Sequence, residues 1–308
     1  MNLVHVHLLL NHFPTVGMVV GLSIYLIALA TRSNELKRVS LIVFVMISLI
    51  AVPTFASGNA AQEMIAKLPG ISQALVDAHN SAAIPALIVM EFTGIFAWLG
   101  LWRFRRDGIF PSTNLTIVLL LAVVTFVLMA QTASIGGEIT HPEIRAAQPS
   151  AAFLSIDAPN LAKAIKSSKW IWAASETLHF MGMSMLFGVV LLIDLRVLGF
   201  MKRVAFPALH QTLPWAIYGF ALNVFTGMVF FIAASSQYTT NVVFHWKMAL
   251  ILLAGLNALY FTLFDETWDL KVGEDATARS KAMAAAALVL WIGVIYAGRM
   301  LPFIGNAF

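Results

Sequence analysis

Apolar residues run in eight long blocks broken by polar clusters, at roughly 3–30, 38–58, 74–103, 114–135, 169–197, 212–234, 242–264 and 281–302. About 20 consecutive apolar residues suffice to cross the hydrocarbon core of a bilayer. A spanning segment must satisfy its own backbone groups, so each block predicts a helix. The stretch from about Gly136 to Ser168 is the longest and most polar interruption. The pattern therefore predicts an all-α integral membrane protein of eight transmembrane helices arranged as two parallel four-helix bundles. The first bundle takes residues 1–140, a periplasmic linker takes 141–168, and the second bundle takes 169–308.

Charge sets the orientation. The loops after odd-numbered spans carry Arg32, Lys37 and Arg38, then Arg103, Arg105 and Arg106, then Arg196, Lys202 and Arg203. The last of these loops is mixed, with Asp265, Glu266, Asp269, Lys271, Glu274, Asp275, Arg279 and Lys281. The loop after the second span has Lys67 as its base, and the central loop holds Lys163, Lys166 and Lys169. Lysine and arginine accumulate on the cytoplasmic side of short loops. The asymmetry predicts both termini in the periplasm, in a multi-pass protein of the bacterial inner membrane.

Composition sharpens the class. The chain is 60% hydrophobic and 11% charged, with a mean hydropathy of +0.84, against roughly 25% charged residues in soluble domains. The net charge of +4 comes from bases beside spans, with no basic run interleaved with aromatics. Nucleic acid is therefore not an expected partner. There are no cysteines, which excludes disulfides, thiolate-held iron–sulfur clusters, covalently attached haem and cysteine nucleophiles. The first residues lack the charged segment and small-residue cleavage site of a signal peptide, so the chain is read as mature from Met1. No phosphate loop, Ser–His–Asp order, zinc-protease helix or arginine-rich voltage helix occurs.

Four histidines recur at one interval. His12 and His79 lie 67 residues apart, and His179 and His245 lie 66 apart, on the first, third, fifth and seventh blocks. Two histidines facing each other across a bundle can hold a haem iron from both sides. At 1.5 Å of rise per residue, His179 stands about 25 Å above Arg196 and His245 about 30 Å above Asp265, a difference that helix tilt absorbs. His12 stands about 30 Å above Arg32 and His79 about 36 Å above Arg103, a looser match. His12 ranks first as the partner of His79, with His7 and His5 behind it; His5 and His12, seven apart, share a face and His7 points elsewhere. Leu36-Lys37-Arg38-Val39 and Met201-Lys202-Arg203-Val204 repeat 165 residues apart, as parallel repeats would. A packing account of the same duplication stays open.

The surroundings of His179 offer further candidates. Trp172, Glu176, His179 and Met183 fall on one helical stripe. A carboxylate inside a span is expensive and its default reading is functional, so Glu176 is a candidate to orient the imidazole or to protonate a quinone. Gly182 and Gly188 leave room for a flat macrocycle, or serve close helix packing. Lys247 and Arg299 are placed to meet haem propionates, or to snorkel to lipid headgroups. Asn223 and Asn257 read as helix-linking amides, and Glu91 lies deep in the third block, off the face of His79.

The first half, over roughly residues 5–141, resembles a widespread bacterial membrane family of unknown function, a four-helix module found in redox contexts. The resemblance rests on His7-Leu8-Leu9-Leu10-Asn11-His12-Phe13-Pro14, similar to that family's His-Pro-x-x-x-His-Phe-Pro opening, with Leu8 in place of the usual proline and Asn11 in place of an apolar residue. It also rests on Ser57-Gly58-Asn59-Ala60, His79 and Gly136-Gly137-Glu138. The second half, with Glu176-Thr177-Leu178-His179 and Asp194-Leu195-Arg196-Val197-Leu198-Gly199, looks like another uncharacterised bacterial family of cytochrome-like membrane proteins. Both resemblances imply b-type haem, with His141 a third candidate near the first site.

The expectation is a di-haem b-type cytochrome with iron held by His12, His79, His179 and His245. It would move electrons between the quinol pool or a membrane partner and a periplasmic-side acceptor, as a subunit of a larger redox assembly. Two haem b groups and a quinone are the expected cofactors; the bilayer, other redox subunits or a periplasmic cytochrome are the expected partners. A second reading is a membrane protein that binds or transports copper or zinc through His5, His7, His12 and His141, with methionines guiding a soft ion. A third is a haem-free scaffold subunit whose histidines are polar anchors.

Overall fold

A computed structural model describes residues 3–65, 71–141, 154–264 and 266–304. The expected base Lys67, the linker segment 142–153 and Asp265 lie outside the described residues. Among the described residues the fold is all-α with no strand. The helices are α1 (Leu3–Leu10), α2 (His12–Thr31), α3 (Asn34–Ile65), α4 (Gln73–Asp107), α5 (Ser112–Thr140), α6 (Ala158–Ser167), α7 (Lys169–Leu198), α8 (Phe206–His210), α9 (Leu213–Ala233), α10 (Ser235–Thr239), α11 (Val242–Phe264) and α12 (Ala278–Met300). Eight helical stretches are long and apolar enough to cross a membrane: Leu3–Thr31, Asn34–Ile65, Gln73–Asp107, Ser112–Ile139, Lys169–Leu198, Phe206–Ala233, Val242–Phe264 and Ala278–Met300. They overlie the eight apolar blocks of the sequence, and the chain is a multi-pass membrane protein. Large apolar side chains such as Leu120, Val289 and Tyr296 are exposed, as lipid-facing positions require.

The compact units do not coincide with the two halves of the chain. Unit 1 comprises Met1–Gly100, Phe110–Trp172 and Val229–Thr240; unit 2 comprises Leu101–Ile109, Ala173–Met228 and Asn241–Phe308. The expected linker 141–168 is not plain loop either. It contains α6, capped by the Asp157 carboxylate on the Asn160 N–H at 3.0 Å, with Ala158 and Ile165 buried. Asp157 followed by Pro159 is a helix-start signal.

Unit 1 is packed through small residues. Gly17 lies against Ile47 and Gly21 against Phe44, so α2 approaches α3 closely. Tyr25 meets Phe44 edge-on at 5.7 Å and donates its hydroxyl to the Leu115 carbonyl at 2.9 Å. Gly94 faces Ser48 of α3, while Thr93 and Thr125 share a hydrogen bond of 2.9 Å between α4 and α5. Small residues and interhelical hydrogen bonds are the ordinary adhesives of helices in lipid, where apolar burial gives little driving force.

Unit 2 is closed at one end by Arg196, whose side chain is fully buried at 0% exposure. Its guanidinium donates to the carbonyls of Val204 at 2.9 Å, Lys271 at 3.1 Å and Glu274 at 3.2 Å, and lies over the Phe206 ring. The sequence reads Arg196 as one more cytoplasmic-side base; the structure uses its five-donor fork to hold two loops. Just beyond it, Gly199 at φ 98° ends α7 in a left-handed cap, with Phe200 N–H bonded to Leu195 O and Gly199 N–H to Arg196 O. Phe206, Phe261, Trp268 and Trp291 fill the core beside it. Arg196→Ala strands three carbonyls and should cost on the order of 3 kcal/mol. Thermal unfolding in detergent micelles reads this as a lower midpoint, with Arg196→Lys recovering part of it.

Lys202 and Lys281 grip Asp275 from both sides at 2.8 and 2.9 Å. The hydrogen bonds from Lys202 and then Lys281 hold its carboxyl down to about 2, from an ordinary 3.8. A depressed carboxyl stabilises the fold above its unfolded value and loses that contribution as pH falls through the folded value. The acid limb of stability should therefore steepen between about pH 4 and 2. Asp275→Asn should flatten that limb in pH-dependent unfolding.

Candidate functional site

In unit 1 two histidines are gripped in the same way. His7 on α1 places Nδ1 3.1 Å from the Thr54 carbonyl of α3. His79 on α4 places Nδ1 2.9 Å from the Thr132 carbonyl of α5. Carbonyls only accept, so each ring donates from Nδ1 and carries its lone pair on Nε2. Each threonine stands four residues before a glycine. A Cβ at Gly58 would come 2.9 Å from Cε1 and 3.2 Å from Nδ1 of His7; one at Gly136 would come 2.9 and 3.1 Å from the same atoms of His79.

The pattern has a geometric cause. A helical carbonyl already accepts the N–H of the residue four positions on. An imidazole that shares that carbonyl must lie over the later residue, and only glycine has no Cβ in the way. The Cε1–Nδ1 edge of each ring therefore rests on bare helix backbone, and Nε2 is the atom farther from it. Thr54 and Thr132 turn their own hydroxyls back to Ile50 O and Leu128 O, both at 2.8 Å, so the hydroxyls stay out of the shared bond. His7 and His79 lie within electrostatic reach of each other.

The histidine that lies within electrostatic reach of His79 is His7. His12 opens α2 and is exposed, as are His5 and His141. His7, ranked behind His12, is the ring turned toward α3. His5 and His12 do share a face, but it is the outward one. Helix α1 has apolar residues on every side, so nothing in its periodicity marks which side packs against α3.

In unit 2, His179 on α7 bonds through Nδ1 to the Thr226 hydroxyl of α9 at 2.8 Å. That hydroxyl donates onward to Leu222 O at 2.7 Å, so it accepts from His179. Gly227 stands beside the ring, its Cβ position 3.9 Å from Cε1. His7 and Thr54 are 47 residues apart, and so are His179 and Thr226. His7 and His179 thus each reach an acceptor at the same sequence separation. Glu176, a candidate to orient this imidazole, is exposed, and Thr226 takes the Nδ1 bond instead. Gly182 leaves no slot for a macrocycle: it meets Gly219, where α7 and α9 cross with backbone nearly in contact.

His245 on α11 is half-buried beside Phe244, with ring centroids 6.4 Å apart. Two residues on, Lys247 is within electrostatic reach of His179, and its Nζ lies 3.3 Å from the Cβ position of Gly298 on α12. Arg299 is exposed and lies over the Phe303 ring at 5.5 Å. Asn257 links α11 to the Met283 carbonyl of α12 at 3.2 Å, whereas Asn223 bonds its own helix at Gly219 O. Among the described residues, no three His, Cys, Asp or Glu side chains gather in a group able to hold a metal ion.

Sequence reasoning missed Thr54, Thr132 and Thr226, and with them the paired glycines as ring supports. The available signal was Thr-x-x-x-Gly, occurring at Thr54–Gly58 and Thr132–Gly136 on the helices that follow the histidine-bearing ones. Compared with protein-family models, with curated proteins and with solved structures, the chain matches none. The hydrogen bonds themselves are open to test. Histidine 15N NMR should report the Nδ1–H tautomer for His179, and Thr226→Val should abolish that preference while leaving His7 and His79 unchanged.

Proposed function

We propose that the chain is a b-type membrane cytochrome holding two haems, one between His7 and His79 and one between His179 and His245. The observation that carries this reading is the matched grip on His7 and His79. A bis-histidine haem needs two neutral imidazoles, each fixed at Nδ1 so that Nε2 can bind iron. Both rings have that tautomer and lie near each other, with glycine behind each. His179 has the same tautomer through Thr226, and Lys247 beside it supplies a cation for a propionate; Arg299 is a second.

The haem, when bound, supplies one-electron redox chemistry. The chain's own part is to hold the imidazoles. A backbone carbonyl accepting from Nδ1–H raises the basicity of Nε2 and stops ring rotation. The apolar helices around it exclude water and so tune potential. With the termini and both histidine levels on the periplasmic side of the inner membrane, electrons would pass between the quinol pool or a membrane partner and a periplasmic acceptor. The reading is of a redox subunit within a larger assembly. The copper or zinc reading through His5, His7, His12 and His141 has less support: among the described residues no three His, Cys, Asp or Glu side chains gather in a group able to hold a metal ion.

A pyridine haemochrome assay on the purified chain decides. Two haem b per chain are expected, with a split alpha band in the reduced spectrum. His7→Ala or His79→Ala should each remove one haem, and His179→Ala or His245→Ala the other. His12→Ala should leave both. Colourless protein, or haem lost on His12→Ala and kept on His7→Ala, overturns the assignment.

A further inference from the structure

Unit 1 has a partly open cavity of about 320 Å³, lined from α3, α4, α6 and the α9–α10 junction. Its walls share backbone with the histidine pair: Asn59 follows Gly58, and Asn80 follows His79. Pockets for small organic ligands begin at roughly 300 Å³.

The lining chemistry narrows the ligand. Asn59, Gln62, Gln73 and Asn80 contribute four amides, and Glu63 is the one charged side chain among the described lining residues. Among the described lining residues there is no base, which disfavours an anion. Three of the amides already donate within the fold: Asn59 to Phe55 O at 3.2 Å, and Gln62 and Gln73 to Asp77 Oδ1 at 3.2 and 2.9 Å. Each keeps its amide oxygen and a second N–H, so the amides can still accept and donate. A lining of amides and one carboxylate suits a ligand that brings hydroxyl groups, which do both. Phe55, braced by Phe231 at 6.0 Å, and Ile84 supply the apolar surface for a ring.

Helix α4 carries an acid farther along the same face. Gln73, Asn80, Ile84 and Glu91 follow i, i+7, i+11 and i+18, one stripe of the helix. Glu91 is 4% exposed, and its Oε1 has no hydrogen-bond partner among the described residues. It lies about 10 Å along the helix from Ile84. A buried carboxyl in a span is a functional residue by default; Glu91 shares the helix face of Gln73, Asn80 and Ile84 but does not itself line the cavity.

We infer that this cavity binds the dihydroxy ring of a membrane quinol, with Glu63 and the amide oxygens receiving its O–H groups. The electron step rests on the haem reading above. Oxidation breaks both O–H bonds of the ring. Its two electrons would leave singly to a one-electron acceptor, the chemistry that a haem held by His7 and His79 would supply. The two protons pass to the Glu63 carboxylate and on to water, and quinone departs.

The test uses the full chain in lipid nanodiscs and a short-tailed benzoquinol kept reduced, with binding read by calorimetry. Saturable binding is expected. Asn80→Leu should weaken it about tenfold, and Ile84→Trp, which fills the cavity without touching a polar group, should abolish it. Wild-type melting and haem content qualify each variant, and either variant alone suffices. Absent saturable binding, affinity unchanged in both variants, or displacement of the quinol by a small quaternary amine overturns the proposal. Haem content separates the two readings. A haem-free chain that binds quinol through Asn80 sinks the redox reading and leaves the cavity; a haem-loaded chain that binds none does the reverse.

Discussion

Hydrocarbon offers no hydrogen bonds, so every polar group in a spanning helix must find its partner inside the protein. Most of what is distinctive in this structure follows from that constraint. Tyr25 reaches a carbonyl on α5, Thr93 and Thr125 reach each other, and Arg196 gathers three carbonyls from two loops. The histidines obey the same rule. Each of His7, His79 and His179 commits Nδ1 to an acceptor on a neighbouring helix. The need to satisfy one nitrogen is what frees the other for chemistry.

Glycine acquires two different tasks here. At Gly182 and Gly219 the absent side chains let two helices cross with their backbones nearly touching. At Gly58 and Gly136 the absent side chain makes room for an imidazole edge instead. The residue type is the same, and only the neighbour distinguishes packing from site. This is why Gly182 reads as a slot for a macrocycle in the sequence and turns out to be a helix crossing.

The site and the cavity of unit 1 are built on the same two helices. Gly58 and Asn59 on α3, and His79 and Asn80 on α4, are neighbours in sequence that face different ways around their helices. A hundred degrees of rotation per residue separates the face that grips imidazoles from the face lined with amides. One pair of helices thus supports both surfaces, and a shift of either helix would be felt at both.

The amino-acid order alone determined the eight spans and the all-α class, because crossing a bilayer demands length and apolarity, and both are local properties. It also drew attention to His79, His179 and His245, since an imidazole inside an apolar run is conspicuous wherever the run packs. What it could not decide was facing. Helix α1 has apolar residues on every side, so its pattern carries no sign of which side meets α3, and packing decided that His7 turns toward it. The roles of Thr54, Thr132 and Thr226 were equally hidden: two act through backbone carbonyls that every residue possesses, and the third through a hydroxyl that any threonine in a span would carry. Arg196 looked like a topology signal until three distant carbonyls converged on it. Partnership across helices is a tertiary fact, and only the folded chain supplies the second member of each pair.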